Sequence, residues 1–535
     1  MGDRFCGEAR KEAGSVNRRQ FLRRGAGAAA GIAARRAALG AFAPGAASRL
    51  AGDPRRPQFH LLPAANWMND PNAPIYWNGE YHMFYQYNPE GAFWGDMHWG
   101  HAAGPDMVHW RHMPIALSPT PGGPDAAGCF SGAAAAREGQ VAALYTGVVN
   151  ARAQEATLRD GAHSFRESQC LAVSSDPELK RWTKRPGPVI AVPPRGLQVT
   201  GFRDPTLWSM NGWRYMGVGS GIRGWGGAVL LYRSRDFQHW EYLHLLAGGA
   251  GAEGHTANPV DSGEMWECPD LFPLGGGHVL LHSAQGKVFW QAGELDQGEM
   301  RFHAARSGVL DYGTYYAART QLDRQGNRIV WGWIGETRPE REYRAAGWAG
   351  MMSLPRALTL AADGQLQMEP APALRMLRRE GAELRPGPDW RRRLAEMVLE
   401  NGCGEILCRL RRSVGFALAL IGTLPAGELP APLLRVEFTP GDPERITVNG
   451  ALIPLTAPHP GPEEDVLELR LFVDGSVVEL YLDRQAAYTG RFYYPGGVSP
   501  RVSLRSPGKD GAIDSAIQRL SMWRLAPISP DRLTT

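Results

Sequence analysis

The feature that most constrains the fold is a set of five unusual segments that recur about every 60 residues. These segments are WMNDPN at Asp70, GCFSGA at Ser131, GFRDPT at Asp204, MWECPD at Glu267 and YGTYYA at Tyr316, and the intervals between these residues are 61, 73, 63 and 49. Each interval is near the length of one four-stranded propeller blade with a generous loop. Five such units predict a five-bladed β-propeller over residues 57–370.

Hairpin patterns between these segments support an all-β fold. Asn-Gly lies between two aromatic runs in YWNGEY, and SMNGWRYMGV and LDRQGNRIVWGW have the same form. A turn pair of this kind between β-rich runs is the strongest short-range signal for a β-hairpin. The 66 glycines and 41 prolines among 535 residues suit a chain of many short strands and turns.

The pattern changes after the fifth unit. Residues 371–390 are charged and lack strand alternation, which predicts a linker or a short helix. Residues 391–530 again alternate apolar and polar positions, and Asp474-Gly475 has the form of a hairpin turn. A β-sandwich of ordinary size is therefore predicted after the propeller.

Residues 1–47 have the features of a twin-arginine signal peptide. Arg18 and Arg19 precede a weakly apolar run of glycine and alanine, and small residues at Ala46 and Ala47 suit a cleavage site. This segment carries nine of the basic and three of the acidic residues, so the rest of the chain has a net charge of −2. We therefore expect a periplasmic or extracellular protein, without a nucleic-acid partner and, in its mature form, without a membrane span.

The cysteines do not indicate a disulfide framework or a metal site. Five cysteines remain after the predicted signal peptide, at irregular spacing, and whether Cys403 and Cys408 pair stays open. No cluster of histidines and acids has the spacing of metal ligands. The sequence therefore predicts neither a metal nor a cofactor.

Three acids occupy matching points of the repeat. Asp70 and Asp204 each precede a proline, and Glu267 lies between Trp266 and Cys268. Taken singly, the aspartates read as turn residues and the glutamate as a buried ion-pair partner. Taken together, they converge on one channel, where three unused buried carboxyls would be costly. Glycoside hydrolysis needs such a set, with one ionised nucleophile and one protonated acid, and apolar neighbours raise the pKa of a carboxyl such as Glu267.

The motifs as a set resemble glycoside hydrolase family 32, which includes invertases, inulinases and levanases. The match runs in order through NWMNDPNAPIYWNGEYHMFYQYNP, CFSG, FRDP, MWECPD, DYGTYYA and GWAGMMSLPR, and LRLFVDGSVVELYLD resembles the C-terminal sandwich of that family. The resemblance implies a retaining enzyme that cleaves β-fructofuranosidic bonds in sucrose or fructans through a covalent fructosyl-enzyme.

The resemblance also implies roles for individual residues. Asp70 would be the nucleophile, Glu267 the general acid and later base, and Asp204 a transition-state stabiliser that holds fructose hydroxyls. The implied fructose pocket consists of Asn69, Gln86, Trp94, Phe130, Ser131, Arg203 and Tyr316.

Several alternatives stay open at the level of sequence. A fructosyltransferase would use the same acids with a sugar in place of water, and a fructan-binding protein without activity belongs to another class. Ala133 and Thr314 depart from the family pattern on the leaving-group side, so sucrose, inulin and levan remain possible substrates. Exo or endo action, the ratio of transfer to hydrolysis, the oligomeric state and the role of the sandwich also stay open.

Overall fold

Seven β-sheets make up most of the described chain. The computed structural model describes residues 46–159, 164–249, 265–385, 387–399, 402–423, 431–441, 444–455, 465–494, 499–506, 512–529 and 533. The predicted signal peptide therefore lies outside the described residues, apart from its last two positions. None of the helices within these ranges is long and apolar enough to cross a membrane.

Five of the sheets follow one another along the chain as propeller blades. The strands of blades one and two are β1 (Asn66–Trp77), β2 (Glu80–Asn88), β3 (His98–Gly104), β4 (Arg111–Leu117), β5 (Gly128–Arg137), β6 (Gln140–Asn150), β7 (Leu158–Arg159), β8 (Ser164–Ser174) and β9 (Thr183–Lys184). Those of blades three and four are β10 (Val199–Met210), β11 (Trp213–Ile222), β12 (Gly226–Ser234), β13 (Glu241–Gly248), β14 (Glu267–Leu274), β15 (Gly277–Ala284), β16 (Lys287–Asp296) and β17 (Arg301–Val309).

The fifth blade ends the propeller. Its strands are β18 (Tyr315–Leu322), β19 (Arg328–Ile334), β21 (Met351–Met352), β22 (Arg356–Leu360) and β23 (Leu366–Pro370), while β20 (Trp348–Ala349) pairs in parallel with β1 of the first blade. The predicted all-β fold is thus confirmed, and the similarity to solved structures given below supports the propeller.

The innermost strand of every blade contains an irregularity at the same kind of position. In each blade, the register between the first strand and the next one shifts by one residue. The shift lies between Met68 and Pro71 in β1, Cys129 and Gly132 in β5, Arg203 and Thr206 in β10, Glu267 and Asp270 in β14, and Tyr316 and Arg319 in β18. A β-bulge of this kind bends the strand and changes the direction of the side chains beside it. All five repeated segments of the sequence therefore contain a bulge.

Two further sheets form the sandwich. The six-stranded sheet has the order β24, β34, β25, β30, β31, β32, and the five-stranded sheet has the order β29, β28, β27, β26, β33. Their bounds are β24 (Arg378–Leu384), β25 (Cys403–Arg411), β26 (Phe416–Thr423), β27 (Ala431–Thr439), β28 (Arg445–Val448), β29 (Ala451–Ile453), β30 (Val466–Asp474), β31 (Val477–Leu482), β32 (Ala486–Arg491), β33 (Ser499–Arg505) and β34 (Ile517–Leu525). Leucine, isoleucine and valine side chains from both sheets fill the core between them.

Helices are few and short in the described chain. They are α1 (Ala46–Gly52), α2 (Glu340–Ala346), α3 (Trp390–Glu396) and α4 (Ala512–Ala516), with a 3₁₀ helix at Pro372–Leu377. Gly347 ends α2 with a φ of 79°, a left-handed conformation that suits glycine at a helix C-terminus.

The prediction of a linker or short helix over residues 371–390 is wrong for part of that stretch. Residues 378–384 form β24, an edge strand that pairs with β34 of the sandwich, so the sandwich sheet begins before residue 391. Arg378 explains why a charged stretch can be a strand here, because its guanidinium binds the buried Glu405 and lies over the ring of Trp523. Tertiary partners outweigh the weak local pattern.

The question about the two cysteines of the sandwich is also answered. Cys403 and Cys408 both lie on β25, and neither is part of a disulfide bond. Their positions are five residues apart along one strand, which corresponds to about 17 Å and is far beyond the reach of a disulfide.

A buried cluster of charges joins the propeller to the sandwich. Arg356 of β22 donates hydrogen bonds to Asp311 and to Glu479 of β31, at 2.9 and 2.7 Å. His60, from the segment before β1, contacts both Asp474 and Glu479. All five side chains are fully buried, so the ion pairs fix how the two domains meet.

Candidate active site

Asp70 lies at the base of the site and is fully buried. Ser131 Oγ donates a hydrogen bond of 2.6 Å to Asp70 Oδ2, and Asn69 Nδ2 donates one of 3.0 Å to Oδ1. Asn69 is itself fixed, because Trp67 Nε1 donates to its side-chain oxygen at 2.7 Å. Two donors aimed at the two oxygens fix the orientation of the carboxyl group.

Asp204 is the second fully buried acid, and its backbone has an uncommon conformation. Its φ of 62° lies in the left-handed region, which a residue with a side chain rarely adopts, and Pro205 follows it. Its backbone N–H donates to Thr146 Oγ1 at 3.0 Å, and Arg319 Nη2 donates to its carbonyl at 3.0 Å. Strain held by such contacts is typical of functional sites.

Cys268 connects these two acids. Its thiol Sγ lies 3.6 Å from Asp70 Oδ2 and 3.6 Å from Asp204 Oδ2, and its backbone N–H donates to Asp204 Oδ2 at 3.1 Å. Burial raises the pKa of this thiol well above its usual value, and the negative charges of Asp204 and Asp70 raise it further. Cys268 therefore remains an uncharged thiol between two carboxyls.

Glu267 is the third acid, with 8% of its surface exposed. Its Oε1 accepts hydrogen bonds from Nε and Nη2 of Arg203 at 3.1 and 2.6 Å, and Oε2 accepts one of 2.6 Å from the hydroxyl of Tyr316. Burial lowers the pKa of Arg203, but the charges of Glu267, Glu167 and Asp204 outweigh it, and the pKa rises well above the usual value. Arg203 is thus a permanent cation beside Glu267.

Aromatic side chains form one wall of the site. The rings of Trp94 and Phe130 meet edge to face with centroids 6.0 Å apart, and Trp94 is only partly buried. Gln86 is fully buried and donates to the carbonyl of Cys129 at 2.9 Å. Aromatic faces beside amide groups suit the C–H and O–H surfaces of a sugar.

Hydrogen bonds and close contacts join seven of the ten predicted residues into one network, partly through Cys268: Asn69, Asp70, Ser131, Arg203, Asp204, Glu267 and Tyr316. Trp94 and Phe130 belong to the same apolar cluster as Tyr316, and Gln86 binds the carbonyl of Cys129. Asp70 and Asp204 are fully buried, whereas Glu267 is 8% exposed and Trp94 and Tyr316 are partly exposed. Eight of the ten predicted residues lie at the bulges of the five inner strands, whereas Gln86 lies on β2 and Trp94 lies between β2 and β3.

Two residues of the network were missed by the sequence analysis. Cys268 was treated only as an apolar neighbour of Glu267, and Glu167, which binds Arg203 at 2.9 Å, was not singled out. A signal for Glu167 was present in the sequence. Glu167 is the one acid in SFRESQCLAVS, the segment that forms the largely buried strand β8. An unexplained acid in a buried strand indicates a partner elsewhere in the fold.

Comparison with known proteins identifies the family. The model of the glycosyl hydrolases family 32 N-terminal domain matches residues 60–370, and that of the family 32 C-terminal domain matches residues 444–524. The chain belongs to glycosyl hydrolase family 32. The predicted family is therefore confirmed, and the protein is a glycoside hydrolase of the β-fructofuranosidase type.

Relatives of this family 32 chain match over most of its length. A sucrose-6-phosphate hydrolase of Escherichia coli is 33% identical over 88% of this chain and 94% of its own, and a raffinose invertase of Escherichia coli is 33% identical over 88% and 95%. The solved structure of the family 32 β-fructofuranosidase BmSUC1 of Bombyx mori covers 91% of this chain and 97% of its own, with 29% identity and a TM-score of 0.72.

Proposed function

We propose that the protein is a retaining β-fructofuranosidase that hydrolyses sucrose through a covalent fructosyl-enzyme. The observation that carries the proposal is the network that gathers Asp70, Asp204 and Glu267 around Cys268 in a chain of family 32. Two of these carboxyls are fully buried, and the third, Glu267, is the most exposed of the three. A leaving group would therefore depart past Glu267.

Asp70 is the proposed nucleophile. Its carboxylate is held by Ser131 and Asn69, so it needs no rearrangement before it attacks C2 of the fructosyl unit. The bond from C2 to the leaving oxygen breaks as the bond from C2 to Asp70 forms. A second displacement by water then releases fructose with its configuration retained.

Glu267 is the proposed proton donor. It protonates the leaving oxygen in the first step and removes a proton from water in the second. Arg203 and Tyr316 hold its two oxygens and so fix the direction of the proton. Asp204, held by the N–H of Cys268, binds fructose hydroxyls and stabilises the positive charge that develops on the ring.

The remaining residues of the predicted pocket bind the sugar. We assign hydrogen bonds with fructose hydroxyls to the polar groups and contacts with its C–H groups to the rings. These residues are Asn69, Gln86, Trp94, Phe130, Ser131, Arg203 and Tyr316.

Release of fructose tests the proposal directly. The purified protein is incubated with sucrose, sucrose 6-phosphate, inulin and levan, and the reducing sugar is measured, with Asp70→Asn as the inactive control. We expect sucrose to be cleaved at least about tenfold more efficiently than sucrose 6-phosphate, a difference of roughly 1.4 kcal/mol in the barrier. A folded protein that released no fructose from any of the four would contradict the assignment, and preference for the phosphorylated sugar would contradict the choice of sucrose.

Product analysis separates hydrolysis from transfer. At high sucrose concentration a hydrolase forms free fructose and glucose in equal amounts. A fructosyltransferase forms glucose in excess together with a fructosylated sucrose, because a second sugar takes the place of water. Equal release supports our proposal, and a large excess of glucose contradicts it. Binding of fructan without any cleavage would indicate the third alternative, a binding protein.

We also propose that the protein is exported. Arg18 and Arg19 support this proposal, because paired arginines before a weakly apolar run are typical of the twin-arginine route. Fractionation of cells that express the full chain and an Arg18→Lys/Arg19→Lys variant tests it. Activity should move from the exported fraction to the cytoplasm in the variant, and equal distribution of the two forms would contradict export by this route.

A further inference from the structure

Arg203 binds two carboxyls, Glu267 and Glu167, and a third, Asp204 Oδ2, lies 3.8 Å from its Nε. Its Nε and Nη2 face Glu267 Oε1, while Nη1 on the other side donates to Glu167 Oε1 at 2.9 Å. Glu167 lies on β8 of the second blade, whereas Arg203 and Glu267 lie on the inner strands of the third and fourth blades. Three blades therefore meet through one guanidinium.

Glu167 is completely buried, and both of its oxygens are occupied. In addition to the bond from Arg203, its Oε2 accepts hydrogen bonds from the N–H of Phe202 at 2.7 Å and from Thr157 Oγ1 at 2.9 Å. The N–H of Glu167 donates back to Thr157 Oγ1 at 2.9 Å. These contacts fix the carboxylate behind Arg203, on the side away from Glu267.

The charge of Glu167 acts on Glu267 through Arg203. A buried guanidinium opposite a single carboxyl strongly favours the ionised form of that carboxyl. A second carboxylate on the far side shares the positive charge and reduces this effect. Other polar groups near Glu267 include the hydroxyl of Tyr316, which donates to it, and the acids Asp70 and Asp204 around the neighbouring Cys268.

We propose that Glu167 is a positioning residue for the reaction: it fixes Arg203 against Glu267 and offsets the charge of Arg203, so that the acid keeps its proton at the working pH. The inference rests on the proposed role of Glu267 as general acid. Glu167 itself contacts neither the reacting bond nor the nucleophile in this scheme.

The substitution Glu167→Gln tests this role, because it removes the charge and keeps the size. We expect the alkaline limb of kcat/KM on sucrose to move to lower pH by about 0.5 to 1 unit, since Arg203 then loses one of its carboxylate partners and acts more strongly on Glu267. At the optimum, kcat should fall roughly tenfold with little change in KM, because the misdirected proton affects the transition state more than substrate binding.

Glu405→Gln is the matched control. Like Glu167, Glu405 is fully buried and accepts hydrogen bonds from arginine side chains, here Arg378 and Arg470, but it lies in the sandwich. Its replacement should lower the melting temperature without moving the pH profile. If both variants moved the profile equally, the effect would come from general destabilisation, and the proposed role of Glu167 would be wrong.

A fructosyl donor that needs no acid distinguishes this proposal from the proposed function. On fructosyl fluoride, Glu167→Gln should retain activity within about threefold of the wild type, since a good leaving group departs without a proton. Equal losses on sucrose and fluoride would overturn the role of Glu167 and leave the assignment of Asp70 and Glu267 intact. A wild-type protein that converted neither donor would refute the proposed function, and this role with it.

Thr157→Val provides the test if Glu167→Gln does not fold. The variant keeps the charge of Glu167 but removes the hydroxyl that holds its Oε2. We expect kcat on sucrose to fall by about threefold, with the alkaline limb unchanged, because only the position of the carboxylate is affected. An unchanged kcat would contradict the positioning role.

Discussion

The hydroxyl of Tyr316 donates a hydrogen bond of 2.6 Å to Oε2 of Glu267. The other oxygen of Glu267 is bound by Arg203, so donors from the third and fifth blades hold one carboxyl of the fourth. Both donors stabilise the ionised form, whereas burial favours the protonated form. The protonation of Glu267 thus depends on the balance between burial and these two donors, so substitution of a neighbouring residue can raise or lower the pH at which it loses its proton.

Replacement of Tyr316 by phenylalanine should move that balance toward the protonated acid. Glu267 would then hold its proton to a higher pH, and the alkaline limb of kcat/KM should rise by about 0.5 to 1 pH unit. The full profile of the wild type should be bell-shaped on the acidic side of neutrality, since Asp70 must be ionised and Glu267 protonated. Tyr481→Phe, which removes a similar bond to Glu479 at the domain interface, is the control. A shift of Tyr316→Phe toward lower pH would contradict the assignment of Glu267 as proton donor.

The two proposed catalytic carboxyls should differ in how they respond to the leaving group. Glu267→Ala should lose roughly 10²- to 10⁴-fold in kcat on sucrose and recover most of that loss on fructosyl fluoride. Asp70→Ala should recover on neither donor, because a nucleophile is needed whatever leaves. Asp204→Ala should be impaired on both, since charge develops on the ring in each case. Rescue of Asp70→Ala by the fluoride would mean that nucleophile and acid are exchanged in our assignment.

The stereochemistry of the product should show retention. With methanol as the acceptor, we expect methyl β-fructofuranoside as the first product, identified by NMR before the sugars equilibrate. Double displacement also requires the carboxyls of Asp70 and Glu267 to be roughly 5 to 5.5 Å apart, which an experimental structure with bound fructose would measure. The methyl α-anomer would indicate a single displacement by methanol, and a separation near 9 Å would likewise indicate a single displacement without a covalent intermediate.

His60 should make the stability of the protein depend on pH. Burial lowers its pKa, but hydrogen bonds to Asp474 and Glu479 outweigh burial, and the pKa rises above 6.5. The protonated ring therefore contributes stability that is fully present below about pH 6.5 and is lost as the pH rises through the higher pKa of the folded state. Glu479, whose pKa is lowered to about 2 despite burial because Arg356 and His60 bind it, should remain ionised over this range.

Thermal unfolding of the wild type and His60→Gln measures this contribution. Between about pH 6 and pH 9, the melting temperature of the wild type should fall by roughly 2 °C more than that of the variant, which has no titrating ring. Identical pH dependence of the two proteins would show that the protonated form of His60 does not stabilise the domain interface.

The sequence alone was sufficient for the regular features of the fold. Hairpin pairs such as Asn78-Gly79 depend on local backbone preferences, and the intervals from Asp70 to Tyr316 repeat with the blades, so both can be read along the chain. The three acids could be found from the same repeat, since each lies in a segment that recurs once per blade. In the structure, each of these segments forms the bulge of an inner strand. The edge strand β24 was missed because its pairing with β34 depends on residues far away in the chain.

Only the tertiary structure decided which side chains meet. Ser131 and Asp70 belong to different blades, Arg203 is held between Glu167 and Glu267, and Cys268 touches two acids that precede it in the chain. Such contacts depend on how five bulged strands converge and on the rotamer that each buried group adopts to satisfy its hydrogen bonds. Local sequence thus determined the blades and the acids within them, whereas closure of the ring determined the partners that fix the orientation and protonation of each acid.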